Sequence, residues 1–450
     1  MKSSVIFLTA VLLFSCSLTG NGQSRKAIIG ATLIDGTNRG PVPDAVVIIE
    51  GTRIKQVGSR NKTRIAKGTE VIDATGKFVI PGLADMHQHL GEGNFDLNQG
   101  QADFKKNLAR LLGWGFTTVF SFGTPALETF SELKRLSANE ESRYPHFFGV
   151  GVLIRAREGH GSLQGGFTPE TPDEARKQVR ELKAANVDAI KFVHTDLRYV
   201  TRQPRPLLKP EVMAAIIDEA HKLGLKAYVH APVLGYAKEA LRAGADGLVH
   251  GILSDQVDDE FIGLLKKNRA VYIPTHAIFE AAGDIGAWAR RAAAFDERGL
   301  IAKEVFDVGL SPSNVTRWEE KWNNVAYMKE RLPILRSNLK KVWDAGILVV
   351  AGSDTGNSGA GTLLGLSSQL ELWLMVEAGL TPGQSLQAAT INAALMVGRQ
   401  KDLGTIEAGK LADLVILDAD PLADIRNVRT IFRVIKGGIV YDQVTLLRGV

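Results

Sequence analysis

The central part of this 450-residue chain alternates short apolar runs with helical patterns, and no other feature restricts the fold as strongly. Eight apolar runs have the length of buried strands, at 78–86, 117–122, 147–154, 189–194, 226–230, 247–250, 270–275 and 348–352. Apolar residues spaced three and four apart indicate helices between most of them, at 173–185, 210–223, 236–243 and 319–344. Eight strands alternating with helices are typical of an α/β chain folded as a (β/α)8 barrel.

The two ends of the chain carry a different pattern. Turn residues, most of them glycine, separate short apolar runs within residues 26–76 and again within 412–441. This pattern favours β-strands joined by tight turns. We therefore expect residues 24–76 and 403–450 to build one small β-sandwich domain, and residues 77–402 to build the barrel.

The segment 277–318 is longer than a connection between two barrel elements requires. One interpretation is a helical lid over the mouth of the barrel. The other is a packed excursion on the surface, and the sequence is compatible with both.

The N-terminus has the pattern of an export signal. Lys2 precedes an apolar run at 5–14, which is too short to span a bilayer as a stable helix. We expect residues 1–23 to be a signal peptide and the protein to be exported, to the periplasm or the outer membrane of a bacterium. Cys16 follows the apolar run, so the signal is either of the lipoprotein type, with Cys16 lipidated, or an ordinary cleaved one.

Two histidines, His87 and His89, end the first predicted barrel strand. Side chains two residues apart on a strand point the same way, and the carboxyl ends of barrel strands carry active sites. Two imidazoles that converge there can bind a divalent metal ion. His230, His250 and Asp354 end further predicted strands in the same manner.

Lys191 lies inside the apolar run at 189–194. A buried, unpaired ammonium group is costly, so this lysine needs a partner. One interpretation is that carbon dioxide carboxylates the amine, which then bridges two metal ions. The alternative is a pairing of the lysine with a buried acid.

With these residues in place, the chain resembles the amidohydrolase superfamily, and within it the branch of imidazolonepropionase-like proteins and Xaa-Pro dipeptidases. The matching segments are 79–89 (VIPGLADMHQH), 115–119 (GFTTV), 230–251, 352–356 (GSDTG), 388–394 (AATINAA) and 404–415 (GTIEAGKLADLV). One departure is Phe120-Ser121, where similar proteins often continue with Arg-Asp.

The resemblance implies a centre of two divalent metal ions, usually zinc. His87, His89 and Asp354 would bind one ion, His230 and His250 the other, and carboxylated Lys191 would bridge them. Asp354 would also move the proton from the attacking hydroxide to the leaving amine.

Residues near the predicted centre are candidates for substrate binding. The resemblance places His160, in the sequence Gly159-His160-Gly161, where similar proteins have a histidine that contacts the substrate. Arg155 and Tyr228 are candidates for binding a substrate carboxylate, since an arginine offers a bidentate fork. We interpret His146 as an ordinary surface residue.

Three hypotheses on function follow. The first is hydrolysis of an amide bond in a small substrate, such as a dipeptide or an N-acyl amino acid. The second is a mononuclear deaminase or cyclic-amide hydrolase on the same fold, and the third is a binding protein without catalysis. The net charge of +5 is scattered, so no nucleic-acid partner is expected, and association with a membrane is expected only through Cys16. A homo-oligomer is compatible with the sequence.

Overall fold

The structure is a computed structural model, and it describes residues 24–37, 39–91, 95, 102–161, 165–356 and 360–448. The predicted signal peptide and Cys16 lie outside the described residues. Among the helices of the described ranges, none is long and apolar enough to cross a membrane.

The strands of the described residues fall into two groups. Those of the terminal parts are β1 (Arg25–Leu33), β2 (Val42–Glu50), β3 (Arg53–Ser59), β4 (Glu70–Asp73), β5 (Phe78–Pro81), β14 (Leu414–Leu417), β15 (Ile431–Lys436) and β16 (Ile439–Tyr441). Those of the central part are β6 (Leu83–Gln88), β7 (Phe116–Ser121), β8 (His146–Gly149), β9 (Ala189–Val193), β10 (Lys226–His230), β11 (Gly247–Val249), β12 (Val271–Ile273) and β13 (Leu348–Val349).

The terminal strands form one mixed sheet from both ends of the chain. Its order is β16-β15-β14-β5-β1-β2-β3, with β4 beside β1. One apolar cluster takes residues from both halves of this sheet, including Ile28 and Val47 from the first half and Leu414 and Ile435 from the second. The pairing thus joins strands from both ends of the chain in one sheet, and the β-sandwich domain expected from residues 24–76 and 403–450 stays a prediction.

The central strands all pair in parallel. They form a three-stranded sheet, β6-β7-β8, and a five-stranded sheet, β13-β12-β11-β10-β9. Short bridges connect these sheets at both seams, between Ile154 and Phe192 and between Gln88 and Thr355. The eight strands occur in the predicted order, and the carboxyl ends of four of them, β6, β10, β11 and β13, lead to the candidate histidines and Asp354.

The first predicted strand, 78–86, is wrong as a single element. It divides at Gly82 into β5, which belongs to the terminal sheet, and β6, which begins the central set. Gly82 N–H donates to the carbonyl oxygen of Asp413 at 2.8 Å. A Cβ atom at Gly82 would lie 2.1 Å from Oγ1 of Thr117, so only glycine fits this crossing between the two sheets.

The helices surround the central strands. They are α1 (Phe104–Gly113), α2 (Leu127–Leu136), α3 (Pro172–Ala184), α4 (Pro210–Lys222), α5 (Leu234–Arg242), α6 (Asp259–Asn268), α7 (His276–Gly283), α8 (Ile285–Phe295), α9 (Lys303–Leu310), α10 (Pro312–Lys321), α11 (Val325–Asp344), α12 (Leu366–Glu377), α13 (Pro382–Ala388), α14 (Ile391–Met396) and α15 (Gln443–Arg448). The predicted helices at 173–185, 210–223 and 236–243 correspond to α3, α4 and α5.

The predicted helix at 319–344 is wrong as one element, because the chain breaks between α10 and α11. At this break Asn324 bonds to the loop after β9: its backbone N–H donates to Val200 O at 3.1 Å and its side chain to Arg198 O at 2.6 Å. The apolar spacing nevertheless describes α11 correctly, since Met328 and Leu339 are both fully buried.

The long segment 277–318 consists of helices, α7 to α10, with short connections. Trp288 and Trp318 are buried within it, and Trp288 Nε1 donates to Gly361 O at 3.0 Å. The segment is therefore a packed helical layer, and its role as a lid stays a prediction.

A buried polar contact joins the central strands to the terminal sheet. His146 begins β8, and its Nε2 lies 2.6 Å from Oδ2 of Asp413. Nearby, the buried Lys436 donates to Glu140 O at 2.9 Å. The interpretation of His146 as a surface residue is wrong, because the terminal sheet covers it.

Candidate metal centre

Three of the predicted ligands converge at the carboxyl ends of β6 and β13. Nε2 of His87 lies 3.2 Å from Oδ1 of Asp354, and Nε2 of His89 lies 3.1 Å from the same oxygen. One ligand atom from each residue lies within 4.8 Å of the other two, and all three side chains are buried. Two imidazoles and a carboxylate at this spacing match the ligand set of a divalent metal ion.

Asp354 reaches the histidines through an unusual backbone conformation. Its φ of 56° places it in the left-handed region, where residues other than glycine are uncommon. Its N–H donates to the carbonyl oxygen of His87 at 2.8 Å. This conformation turns the aspartate at the end of β13 toward the end of β6.

His230 and His250 form a second group beside the first. Their ring centroids are 4.3 Å apart, and the ring of His250 lies 4.9 Å from that of His87. Nδ1 of His250 lies 3.7 Å from Oδ2 of Asp354. Asp354 thus contacts both groups, and His250 shares its left-handed backbone, with a φ of 86°.

Lys191 lies in β9, and its buried side chain reaches the first group of ligands. Its Nζ is 3.4 Å from Nε2 of His87 and 5.3 Å from the centre of the Phe122 ring. Burial lowers the pKa of Lys191 from 10.5 to about 8, although Asp354 attracts the charged form. The amine is therefore far more often neutral near pH 7 than an exposed lysine would be.

The environment of the centre favours the protonation states that bind metal. Burial lowers the pKa of His87 to about 3 and the pKa values of His230 and His250 well below the usual value. Burial alone would raise the pKa of Asp354, but His87 and the other histidines lower it well below its ordinary value. Neutral imidazoles beside an ionised carboxylate are what a metal ion requires.

A further layer of residues holds the histidine rings. The hydroxyl of Tyr199 lies 2.9 Å from Nε2 of His230, and Oγ1 of Thr275 lies 2.8 Å from Nδ1 of His250. Such contacts fix the tautomer and the orientation of a metal-binding imidazole. Neither residue was among the predicted site residues, although Thr275 ends a predicted strand as several candidate ligands do.

Helix α7 contributes an aromatic side chain to this end of the central strands. The ring of Phe279 packs edge-on against His250, at 5.9 Å between centroids, and against Tyr199, at 6.2 Å. The segment 277–318 therefore reaches the candidate metal centre, and Phe279 supplies an apolar wall beside it.

The three predicted substrate residues occupy different positions. The ring of His160 lies 4.6 Å from that of His230, and burial lowers its pKa to about 4. Arg155 directs its guanidinium toward carbonyl oxygens, those of Ala156 and Gly165. Tyr228 lies in the interior, where its ring packs 5.4 Å from that of Phe122. Of the three, His160 is the one that the structure brings to the histidine cluster.

Comparison with known proteins relates the chain to one family. A model of the amidohydrolase family matches residues 78–440. The ochratoxinase of Aspergillus niger is 22% identical, over 94% of this chain and 88% of the fungal protein. The imidazolonepropionase of Shouchella clausii is 26% identical, over 95% of this chain and 92% of the other.

Solved structures show the same fold. A crystal structure of a Xaa-Pro dipeptidase with methionine bound in its active site superposes with a TM-score of 0.74 at 23% identity. The superposition covers 93% of this chain and all of the dipeptidase chain. At this level of identity the likeness concerns the fold alone.

Proposed function

Because this chain belongs to the amidohydrolase family, we propose that it is a metal-dependent hydrolase that cleaves a carbon–nitrogen bond in a small amide or peptide substrate. One observation carries the proposal: the carboxylate of Asp354 lies within 3.2 Å of both His87 Nε2 and His89 Nε2 in a buried site. An ionised carboxylate between two neutral imidazoles is suited to binding a divalent ion, and metal-dependent hydrolysis is the chemistry that such an ion supports.

We propose two divalent metal ions, with zinc as the natural metal. His87, His89 and Asp354 would hold the first ion, and His230 with His250 the second. Imidazole nitrogen and carboxylate oxygen are the ligands that zinc accepts in hydrolases. The contact of Asp354 with both groups of histidines supports two adjacent ions.

Lys191 would supply the bridge. Its neutral amine would attack carbon dioxide, form a new N–C bond and release one proton, which leaves a carbamate with two ligand oxygens. The lowered pKa of Lys191, about 8, supports this reaction because only the neutral amine is nucleophilic. The position of Nζ beside His87 would place that carbamate at the metal ligands.

The bound ions would supply a nucleophilic hydroxide at neutral pH and an electrophile for the scissile carbonyl. Asp354 would accept the proton of the nucleophile and transfer it to the nitrogen of the leaving amine. His160, next to His230, would contact the substrate. Phe279 and Tyr199 would exclude water from the side of the centre that they cover.

A dipeptide or an N-acyl amino acid is the substrate class that we propose. The resemblance of segments such as 79–89 and 352–356 to the branch that includes Xaa-Pro dipeptidases supports a linear amide. The likeness to an imidazolonepropionase favours a second candidate, hydrolysis of a cyclic amide at a single ion. The closeness of Lys191 to His87 favours the centre with two ions.

A substrate screen of metal-loaded protein tests the proposal. Dipeptides, N-acyl amino acids, lactams and esters would be offered separately, with free amino acids, ammonia and ring-opened products measured. Asp354→Asn is the matched inactive control, because it retains the shape of the side chain and removes the base. Release of an amino acid by the natural protein alone supports the proposal. Ligand binding without turnover in any class would instead favour a binding protein.

Export is a separate proposal, based on the apolar run and Cys16 at the N-terminus. Mass spectrometry of the mature N-terminus would distinguish a lipidated Cys16 from an ordinary cleaved signal. A mature chain that still begins at Met1 would contradict export through this segment.

A further inference from the structure

Asp85 is a buried acid directly behind the candidate metal ligands. It lies in β6, two residues before His87, and only 2% of its surface is exposed. Its side chain accepts hydrogen bonds from His87 N at 3.0 Å, from Ser353 N at 3.1 Å and from Ser353 Oγ at 2.6 Å. Gln88 Nε2 donates a fourth. None of the metal chemistry described above uses this carboxylate.

The hydrogen bonds of Asp85 connect two segments that are distant in the sequence. One oxygen, Oδ1, accepts the backbone N–H of His87 and also that of Ser353, the residue before Asp354. The second oxygen accepts the hydroxyl of Ser353 and the amide of Gln88. Gln88 in turn donates to the hydroxyls of Ser353 and Ser368, each at 3.0 Å. The strand that carries two ligands is thus bonded through Asp85 to the segment that carries the third.

The segment around Asp354 needs such support. Asp354 has a left-handed backbone, which persists in proteins where surrounding contacts impose it. Its Oδ1 lies close to both His87 and His89, so a shift of the segment would lengthen both distances together. Ligand positions must hold to within about 0.5 Å for a productive metal site.

We propose that Asp85 is a positioning residue that fixes Asp354 against His87 and His89 and thereby sets the affinity of the first metal site. The proposal rests on the function proposed above, since it requires that these three residues bind a metal ion. A purely structural role is the competing explanation, because any buried hydrogen-bonded acid contributes to stability.

A matched pair of variants separates the two roles. Asp85→Asn keeps the shape of the side chain but places an amide N–H₂ group where an oxygen accepted hydrogen bonds. Asp413→Asn makes the same change at another buried acid, which accepts from His146 and from Gly437 N far from the centre. The affinity of each metal-free protein for Co²⁺ would be measured by competition with a chromophoric chelator, with the visible spectrum of the bound ion and the unfolding temperature.

We expect Asp85→Asn to weaken Co²⁺ binding by about 10- to 100-fold and to alter the spectrum. Asp413→Asn should lower the unfolding temperature and leave the affinity within about twofold, as expected for a distant site. Should Asp85→Asn not fold, Ser353→Ala carries the test. We expect its Co²⁺ affinity to fall by about 2- to 10-fold, because Asp85 loses the hydroxyl of Ser353 as a donor.

Two results would overturn the inference. One is unchanged affinity in folded Asp85→Asn, or in Ser353→Ala where that variant carries the test. The other is an equal loss in Asp85→Asn and Asp413→Asn, which would indicate general destabilisation. Absence of Co²⁺ binding by the natural protein would instead overturn the proposed function, and the inference with it.

Discussion

Replacing Lys191 by methionine should make the metal-free protein more stable and the metal centre incomplete. Methionine has a similar length and no charge, so it fills the same buried space without an amine. Lowering the pKa of Lys191 from 10.5 to about 8 corresponds to an unfavourable free energy of about 3 kcal/mol at neutral pH. Removal of the amine should therefore raise the free energy of unfolding of the metal-free protein by up to that amount.

The cost of burying Lys191 should also appear in the pH dependence of stability. The unfolded chain keeps the proton of Lys191 up to about pH 10.5, while the folded protein releases it at about pH 8. Between these values the unfolded state binds more protons, so the stability of the natural protein rises with pH. In Lys191→Met this rise should be absent, because the variant has no amine to titrate there.

Metal content and unfolding would be measured on the same preparations. We expect about two ions per chain in the natural protein and about one in Lys191→Met, since the bridging ligand is lost. Lys436→Met is the control, because Lys436 is a buried lysine with a hydrogen bond to Glu140 O. That variant should be less stable with its metal content unchanged. The reasoning would be refuted if Lys191→Met were less stable than the natural protein without metal and still bound two ions per chain. That result would indicate a structural lysine.

Three further predictions test other parts of the structure. Tyr199→Phe removes the hydroxyl that contacts a histidine of the second group, so the second ion should bind about 2- to 10-fold more weakly in a metal titration. Burial raises the pKa of Glu371 to about 8, so the natural protein should lose stability as pH rises from about 4.5 to about 8, whereas thermal unfolding of Glu371→Gln should depend less on pH in that range. Gly82→Ala should lower stability by about 1–3 kcal/mol in chemical unfolding, because the new methyl group meets the buried side chain of Thr117.

Each of these predictions has a control. For the tyrosine, binding of the first ion should be unchanged, and an equal loss of both ions would contradict a local effect. For Glu371, an identical pH dependence in the variant would show that this carboxyl does not titrate there. For Gly82, the control is Gly235→Ala in α5, where a Cβ atom meets nothing within 4 Å and alanine should be neutral or stabilising.

The candidate metal ligands could be predicted from the sequence because the histidines and Asp354 stand at the ends of apolar runs and Lys191 lies inside one. His87 and His89 follow from strand spacing, and Lys191 follows from the cost of burying a charge. Asp85 carried the same kind of signal, an acid within an apolar strand, and the same reasoning would have identified it. Tyr199 had no such signal, because its contact with His230 depends on how an irregular loop after β9 folds back.

The fold was predictable where a local pattern determines it and not where distant segments meet. The order of the central strands follows from the alternation of strand and helix. His146 follows Tyr144-Pro145 and has the appearance of a loop residue, yet its burial depends on Asp413, 267 residues away in the sequence. The division of the first strand at Gly82 has the same origin, because β5 pairs with the distant strand β14 in the terminal sheet.

The pairing of β5 with β14 has a consequence for how the chain folds as it emerges, N-terminus first, from the ribosome or an export channel. Pro81 pairs with Leu414 and Phe78 with Leu417, so the N-terminal strands have no partner on this side until the C-terminal ones emerge. Closing so long a loop is slow, and unpaired strand edges promote aggregation. In an emerging chain, the sheet of β1 to β5 would therefore lack its neighbour β14 until the whole central part has emerged. A chain shortened before Leu414 should aggregate through that open edge even though every candidate metal ligand is present.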